Sequence, residues 1–352
     1  MINEFLKEYI NTPSPSGYEV LLGGQKVWID YVSQFCEKVE IDEYGNAYAH
    51  YNKKIEGQKT ILLDAHCDEI GFFVFDITKE GFIKIGRLGG SDIMIAPSSR
   101  VNIWGENGKI KGVFGHPAIH IQEKDLKLKV ENMFIDIGVT SKEKVEELGI
   151  RIGNPITMSD GFLNLREFYC GRSLDDKIGG FINSQILKTL HDNKQNLPFH
   201  LVVINAVQEE VGLKGAAMAS FKIKPDIAIV IDVTHDTDSP AYSKNKQGSL
   251  SAGEGPVIAN SPSIHKILHK TLVNTAICSN IKYQLCASGF SSGTNAEAYA
   301  YPLGIPTCLI KLAMRYMHTS VETIHKEDVD SSIKLILNFL KRNELTGTLK
   351  YL

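Results

Sequence analysis

The chain has 352 residues, of which 43% are hydrophobic, and its 38 basic and 41 acidic residues give a formal net charge of -3. This composition is typical of a folded globular protein, which excludes the disordered and fibrous classes. Because the charges are interspersed and no stretch approaches the roughly 18 apolar residues of a membrane span, neither nucleic acid nor a membrane is an expected partner.

Residues 1–68 have the pattern of an α/β fold. Apolar residues at helical spacing predict a helix over 2–10 and a longer helical stretch over 17–35. The apolar run TILLD, over 60–64, predicts a buried central strand. Helix and strand following one another in this way indicate helices packed on a sheet.

The segment 69–165 changes to a strand-rich pattern. Four strand-like runs are separated by turn residues: GFFVFDI, FIKIGRL, RVNIW and KGVFG. Asn107-Gly108 is a strong hairpin signal between the last two. One short helix interrupts the strands, with Thr140 and Glu143 as its capping box and Gly149 as its end. We predict a small β-barrel here.

From residue 166 onward, strands and helices alternate again. The predicted elements are a helix from Asp175, a strand over 200–207, a helix over 214–221, a strand over 226–232, a helix over 263–274, a strand over 306–312 and a closing helix from Val329. Such alternation predicts an α/β fold whose largely parallel sheet carries helices on both faces. The β-rich segment 69–165 is then a domain inserted between 1–68 and 166–352, which form one α/β domain.

Residue types that can do chemistry follow the ends of the predicted strands. In a parallel sheet these ends open into one crevice, where ligands usually bind. Each signal alone has an ordinary structural explanation, such as a helix cap or a solvated loop, but together they indicate a site. The candidates brought to this edge are His66, Asp175, Glu209, Glu210, Asp232 and His318.

Several carboxylates at the mouth of a buried sheet repel one another unless cations neutralise them. Histidine, aspartate and glutamate without cysteine suit zinc, cobalt or manganese, and this set is large enough for two divalent ions. Because adjacent residues leaving a strand point differently, Glu210 can bind metal while Glu209 takes a proton from a water shared by the ions. Asp68, two residues after His66, is expected to fix the imidazole of His66.

The same residues lie in stretches that resemble, across nearly the whole chain, the M42 family of metallo-aminopeptidases, which includes the tetrahedral aminopeptidases and relatives once described as glucanases. The matching stretches are DAHCDEIGFFV, GRSLDDKIGG, AVQEEVGLKGA, IDVTHDTDSP and PLGIPTCLIKLAMRYMHTSVE.

The resemblance implies a zinc-peptidase-like fold and removal of N-terminal residues from short peptides with two divalent ions, zinc or cobalt. It implies that His66 and Asp232 bind one ion, that Glu210 and His318 bind the other, and that Asp175 bridges them. Glu209 would be the general base, supported by Asp68, and the Asp175-Asp176 peptide would be cis. The inserted barrel would mediate dimerisation within a homo-oligomer, which in this family extends to a tetrahedral dodecamer.

The sequence departs from the family pattern at three positions outside the proposed ligands. Asn295 stands where aspartate is usual, Ala313 where proline is usual, and His235 where a small residue is common. All three are expected near the substrate pocket, where they bear on substrate preference.

Two other functions remain open from the sequence. Gly289-Phe290-Ser291-Ser292-Gly293 matches the G-x-S-x-G pattern of serine hydrolases, with Ser291 as nucleophile, although no histidine follows in the order that a triad requires. A non-catalytic metal-binding scaffold of the same fold is the second, and the retained Glu209 argues against it.

The six cysteines are scattered, without a C-x-x-C pair or a compact framework. This usage is typical of a reducing compartment, so a cytoplasmic location is expected.

Overall fold

The computed structural model describes residues 3–121, 128–240, 242 and 248–351. Within these ranges the strands, in chain order, are β1 Lys38–Ile41, β2 Ala47–His50, β3 Thr60–His66, β4 Gly71–Ile77, β5 Ile83–Leu88, β6 Arg100–Gly105, β7 Gly108–Phe114, β8 Phe134–Asp136, β9 Pro155–Met158, β10 Leu163–Leu165, β11 Phe168–Gly171, β12 His200–Ala206, β13 Ile227–His235, β14 Val257–Asn260, β15 Gln284–Ala287, β16 Thr307–Arg315 and β17 Glu322–His325.

The α-helices of the same ranges are α1 Glu4–Asn11, α2 Gly24–Val32, α3 Lys142–Glu147, α4 Leu174–Asp192, α5 Lys214–Ile223, α6 Lys266–Cys278, α7 Ala296–Leu303 and α8 Lys326–Phe339. Single turns of 3-10 helix cover Ile119–Ile121, Val130–Asn132 and Asn343–Leu345. None of the described helices is long and apolar enough to cross a lipid bilayer.

The described strands form one large sheet and one closed barrel. The sheet order is β1-β2-β12-β3-β13-β16-β17-β11-β10, with β14 paired to β16 and β15 to β14. Its centre, β12-β3-β13-β16, is parallel, as the alternation of helices and strands predicts, while antiparallel strands extend it on both sides. The parallel centre brings the ends of four strands to one edge.

Helices cover both faces of the large sheet, as predicted. Alternate residues of β3 face opposite ways: Ile61 and Leu63 pack with α1, α2, α4, α6 and α8, whereas Leu62 packs with α5 and α7. This two-sided burial explains why the central strands are continuous apolar runs.

The barrel closes in the order β4-β5-β8-β7-β6-β9 and has a core of its own, which includes Phe72, Ile83, Ile103 and Ile135. The predicted hairpin is confirmed: Glu106-Asn107 joins β6 to β7, and Gly108, the first residue of β7, has a φ of 108°. A positive φ suits the glycine of such a turn.

Some predicted boundaries are wrong, for local reasons. The stretch 17–35 is helical only over α2, because Gly23 takes a left-handed conformation just before it. Ser141, not Thr140, caps α3, since its side chain accepts the Lys144 N–H, while Gly149 ends that segment as predicted. The closing helix begins before Val329, because the His325 side chain caps its start. Residue 2 of the first predicted helix lies outside the described residues.

Candidate metal centre

The predicted metal ligands come from separate elements that meet at the carboxyl edge of the large sheet. His66 is the last residue of β3, and Asp232 lies in β13 beside it. Glu210 follows β12, and His318 follows β16. Asp175 opens α4, and its peptide bond to Asp176 is cis, as the resemblance implies.

Asp175 occupies the middle of the centre. Its Oδ1 lies 3.2 Å from His66 Nε2, and its Oδ2 lies 3.4 Å from His318 Nε2. The same His318 nitrogen is 3.4 Å from Glu210 Oε1. Each carboxylate oxygen of Asp175 therefore faces a different imidazole, which is the arrangement that a bridging aspartate needs.

Two groups of potential ligand atoms share His66. In one, atoms of His66, Asp175 and Glu210 lie within 4.8 Å of one another, and in the other so do atoms of His66, Asp176 and Asp232. Asp176 is not in the predicted ligand set, although it is fully buried and its Oδ1 has no hydrogen-bond partner among the described residues. All five predicted ligands and Glu209 line one groove.

Asp68 holds the two sides of the centre together. His66 Nδ1 lies 3.4 Å from Asp68 Oδ1 and 3.2 Å from the Asp68 carbonyl oxygen. The backbone N–H groups of Glu209 and Glu210 donate to the two oxygens of Asp68, at 2.9 and 3.2 Å. Ser16 Oγ donates to it as well, at 2.6 Å. Asp68 thus contacts the imidazole of His66 through its carboxylate and its backbone carbonyl, and its carboxylate also holds the turn after β12.

The Glu209 carboxylate lies 3.9 Å from His66 Nε2 and is largely buried. Burial raises the pKa of Glu209 to about 8, and the charges of Asp232, Asp68 and Asp175 add to this while His66 opposes it. A carboxylate whose pKa lies near neutrality suits proton transfer in both directions.

The pKa values of the other carboxylates in the centre are also shifted by burial and by neighbouring charges. Burial, followed by the charge of Asp175, raises the pKa of Asp232 to about 6 and that of Glu210 well above its usual range. Asp175 differs: burial works against its charge, but His318 and His66 outweigh burial and lower its pKa below the usual range. Converging buried carboxylates and imidazoles of this kind fit divalent cations, which would relieve the repulsion.

Three supporting residues were not identified from the sequence. Glu322 is buried and accepts the backbone N–H groups of both Asp175, at 3.0 Å, and His318, at 2.9 Å. Glu19 accepts the N–H of Gln208, just before the Glu209 turn, at 3.0 Å. In the barrel segment, Gly90 lies so close that a Cβ there would be 2.6 Å from His318 Nδ1. These three residues contact backbone atoms or residues that are distant in sequence. No spacing of residue types along the chain therefore identifies them.

The three departures from the family pattern take different positions. His235 lines the groove, and its Nδ1 is buried without a hydrogen bond among the described residues. Asn295 is buried and follows the groove residue Thr294, and its amide donates to Asp64 Oδ1 at 2.8 Å. Ala313 is buried in β16 and does not line the groove.

Ser291 lacks the partner of a serine nucleophile in the described part of the chain. Its hydroxyl donates to Glu297 Oε1 at 2.7 Å and accepts the Gly293 N–H at 2.9 Å. A carboxylate in contact with the serine, with no histidine between them, does not make a catalytic triad. These contacts instead stabilise the loop before α7.

Comparisons with known proteins point to one family. A family model described as M42 glutamyl aminopeptidase matches residues 45–335. The lysyl aminopeptidase of Pyrococcus furiosus is 30% identical over 354 residues, which cover 97% of this chain and 99% of that protein.

Two solved structures are similar over nearly their whole length. A TET aminopeptidase from a marine sediment archaeon, Thaumarchaeota archaeon SCGC AB-539-E09, has a TM-score of 0.91 at 26% identity, covering 99% of this chain and 98% of that one. The TET1 peptidase of Pyrococcus horikoshii, described as able to assemble into a tetrahedron or a large octahedral shell, has a TM-score of 0.84 at 28% identity, covering 96% and 98%.

Proposed function

The chain belongs to the M42 glutamyl aminopeptidase family, and from that premise we propose that it removes N-terminal residues from short peptides with the help of two divalent ions, zinc or cobalt. The observation that carries the proposal is the position of Asp175, whose two carboxylate oxygens face His66 and His318 at 3.2 and 3.4 Å.

In this proposal His66 and Asp232 would hold one ion and Glu210 and His318 the other, and Asp175 would be a ligand shared by both. Asp176, whose carboxylate lies near His66 and Asp232, is a further candidate ligand. When bound, two such ions polarise the scissile carbonyl and acidify the attacking water. The remaining chemistry falls to the side chains of the chain itself.

Glu209 is the proposed base. It accepts a proton from the attacking water and returns that proton to the nitrogen of the leaving amine. The raised pKa of Glu209, about 8, favours this exchange near neutral pH. Asp68 is the supporting carboxylate, because it fixes both His66 and the backbone of Glu209.

The barrel segment 69–165 is the proposed inserted dimerisation domain, with 1–68 and 166–352 as the catalytic domain. A homo-oligomer, from a dimer to a tetrahedral dodecamer, is proposed from similarity to proteins such as the Pyrococcus horikoshii TET1 peptidase. A cytoplasmic location is also proposed, and the six free cysteine thiols support it.

The test is cleavage of aminoacyl chromogenic amides by metal-stripped protein, before and after zinc or cobalt is added. We expect activity to return as the metal content reaches two ions per chain. Glu209→Gln, which keeps the size of the side chain but not its basicity, should bind both ions and lose about 100-fold or more in kcat. The serine hydrolase alternative instead predicts activity that survives a chelator and is lost in Ser291→Ala.

If the metal-loaded wild type binds two ions but cleaves no amide in the panel and no free peptide, the aminopeptidase proposal is wrong. The non-catalytic scaffold would then be the better description. A Glu209→Gln variant as active as the wild type would reject only the role of Glu209.

A further inference from the structure

The Gly289-Phe290-Ser291-Ser292-Gly293 stretch has no part in the proposed reaction, yet it lies beside the candidate metal centre. It belongs to the loop that joins β15 to α7. Residues 291–294 of this loop line the same groove as Glu209 and the predicted metal ligands. A peptide that occupies the groove can therefore contact the loop.

The loop holds the ring of Phe290 in solvent. Phe290 is 89% exposed, more than any other large apolar side chain among the described residues. The loop around it projects from the rest of the chain, because a Cβ on Gly289 or Gly293 would have no atom beyond its chain neighbours within 4 Å. An apolar ring gains free energy when another apolar group covers it. Phe290 therefore offers a contact that the single chain leaves unused.

Hydrogen bonds within the loop fix the position of this ring. Ser288 Oγ donates to the Ser291 carbonyl at 2.8 Å and accepts the Phe290 N–H at 3.3 Å. Glu297 Oε1 accepts the hydroxyls of Ser291, at 2.7 Å, and Ser292, at 3.1 Å, as well as the Ser292 N–H. A side chain carried by a fixed loop loses less conformational entropy on binding than one on a loose loop.

The loop also has backbone groups that a peptide can use. Among the described residues, neither the Ser291 N–H nor the Phe290 carbonyl has a hydrogen-bond partner. Exposed backbone groups of this kind pair with the main chain of an extended peptide in several classes of peptide-binding site. The loop thus combines main-chain donors and acceptors with an apolar ring, which together suit a peptide better than a small amide.

The groove is the path for the part of the peptide that leaves. Glu209, the proposed proton donor to the leaving nitrogen, lines the groove, which has an empty volume of about 980 Å³. A smaller recess of about 450 Å³ is lined by Asp175 and His318 but not by Glu209. Because the leaving nitrogen must lie near Glu209, the residues after the scissile bond enter the groove that the loop lines.

We propose that the loop 288–294 binds the part of the substrate that follows the scissile bond, with Phe290 packing against the side chain of the second substrate residue. The inference rests on the aminopeptidase function proposed above and adds the substrate class of the same site, which is peptides with an apolar or aromatic second residue. A phenylalanine or leucine at that position covers the ring, whereas an aspartate would lose water against it.

The test keeps the first residue constant, as the one whose chromogenic amide is cleaved best, and varies the second. Tripeptide amides with phenylalanine, leucine, glycine or aspartate in second place and glycine in third are compared with the primary aminoacyl amide, whose leaving group is ammonia. Chromatography measures the released amino acid. We expect kcat/KM in the metal-loaded wild type to be at least about 5-fold higher with phenylalanine or leucine than with glycine or aspartate, the scale of partly burying such a side chain.

Phe290→Ser should bring this preference below about 2-fold, mainly by raising KM for the phenylalanine and leucine peptides, because it removes a contact that substrate and transition state share. The primary amide has no second residue, so its kcat/KM should change less than about 2-fold.

Two further variants separate the contact from a general structural effect. Phe290→Leu keeps an apolar side chain and should keep most of the preference. Phe221→Ser, the same change at a 55% exposed phenylalanine of α5, should leave the preference as in the wild type. Sedimentation velocity should give Phe290→Ser the wild-type mass, and a loss of mass would assign the ring to a contact between subunits and overturn the proposal.

Failure of this inference is distinguishable from failure of the proposed function. If the wild type cleaves peptides without regard to the second residue, or if Phe290→Ser keeps the wild-type preference, the role of the loop is wrong while the aminopeptidase function stands. If no amide or free peptide is cleaved, both proposals fall.

Discussion

Glu322 shows how much of the candidate centre depends on a residue outside it. The two oxygens of its buried carboxylate accept the N–H groups of Asp175 and His318, which belong to different elements. The backbone of His318 has a φ of 61°, a left-handed conformation that non-glycine residues rarely adopt. One carboxylate therefore sets the spacing of two proposed ligands and supports an unfavourable backbone conformation.

We predict that Glu322→Ala weakens metal binding without removing a proposed ligand. The two N–H groups lose their acceptor, so the ligands lose their fixed geometry, and the affinity for zinc should fall by about 10 to 100-fold, as for other residues that orient ligands. Competition with a chromogenic chelator measures this. Glu322→Gln keeps one acceptor oxygen, so its affinity for zinc should lie between those of the wild type and Glu322→Ala.

Glu327→Ala removes a carboxylate from an exposed position nearby and is the matched control, expected to bind zinc as the wild type does. Equal zinc affinity for folded Glu322→Ala and the wild type would contradict the proposed role.

At the same scale, the residues predicted from the sequence include His66, Glu210 and His318, which lie around the Asp175 carboxylate and each end or follow a strand. The sequence did not identify Glu322, Asp176 or Gly90. Glu322 acts on backbone N–H groups, Asp176 is adjacent to a stronger candidate, and Gly90 matters through the space that it leaves for His318. These roles depend on distances that appear only when the chain is folded.

At the scale of elements, α7 is attached to β3 through a buried polar contact. Tyr299 OH donates to Asp64 Oδ2 at 2.6 Å, and Asn295 donates to the other oxygen. Burial raises the pKa of Asp64 to about 6, and these two hydrogen bonds oppose that rise. The ionised form of Asp64 therefore depends on both of them.

We predict that Tyr299→Phe destabilises the protein by about 1 to 3 kcal/mol, the usual cost of leaving a buried polar group without its partner. Losing the hydroxyl raises the pKa of Asp64 further, so ionising Asp64 in the fold costs more, and the deficit should be larger at pH 8 than at pH 5. Urea unfolding at both pH values measures it. Tyr301→Phe changes an exposed tyrosine of the same helix and should leave the stability unchanged. If Tyr299→Phe also leaves it unchanged, the Tyr299 hydroxyl does not stabilise the fold through Asp64.

A second contact between elements joins β2 and β12 away from the centre. His50 Nδ1 and His200 Nε2 lie 3.1 Å apart, and both rings are buried. Burial and then the charge of His50, with Lys54 and Lys38, lower the pKa of His200 to about 4. Burial and the charges of Lys38 and Lys222 lower the pKa of His50 as well, although Glu40, 3.7 Å from its Nε2, opposes them.

We predict that this pair makes the fold sensitive to mild acid. Because the pKa of His200 is lower in the fold than in the unfolded chain, about 6.5, the unfolded state binds more protons as the pH falls below 6.5. Stability should therefore be lost between pH 6.5 and about 4. Allowing for solvent screening, the loss from pH 7 to pH 5 should be about 1 kcal/mol larger in the wild type than in His200→Gln. If urea unfolding shows the same loss of stability in the wild type and in His200→Gln, the acid sensitivity does not come from His200.

Some elements of the fold give a clearer sequence pattern than others. Strands in the centre of the large sheet are buried on both faces and were found as apolar runs. Short strands such as β1 and β17 were not found, because β1 is partly exposed and β17 follows a loop that gives no periodic signal. Helix ends were misplaced where a glycine or a side-chain cap decided them, as at Gly23 and His325.

At the scale of the whole molecule, the barrel contributes to the candidate centre. Gly90 follows β5, and its place beside His318 leaves no room for a larger residue. Phe72 and Met158, from β4 and β9, line a recess next to Asp175. The barrel and the large sheet therefore build the site jointly, and a segment expected to mediate dimerisation also lines a recess beside the candidate metal centre.

The barrel also has apolar side chains that are exposed to solvent in the single chain. Phe75 in β4 is 61% exposed and Ile152 is 65% exposed. They are neighbours, because Val74, next to Phe75, accepts the Gly153 N–H and donates to the Asn154 carbonyl. Exposed apolar groups concentrated in one place are typical of interaction surfaces, and a second copy of the chain is the proposed occupant here.

We predict that Phe75→Lys combined with Ile152→Lys reduces the mass of the assembly. A two-fold interface repeats the same patch on both subunits, so each substitution places charges on both sides of the contact and leaves them desolvated. Sedimentation velocity at several protein concentrations should show the wild type as a dimer or larger and the variant as smaller species. Phe221→Lys with Ile277→Lys changes two comparably exposed residues of α5 and α6, 55% and 59% exposed, and serves as the control. If both variants keep the wild-type mass, the barrel patch is not the interface. If only the α5 and α6 variant dissociates, the subunits assemble through the helical layers. The barrel would then contribute to the molecule only through the recess beside Asp175.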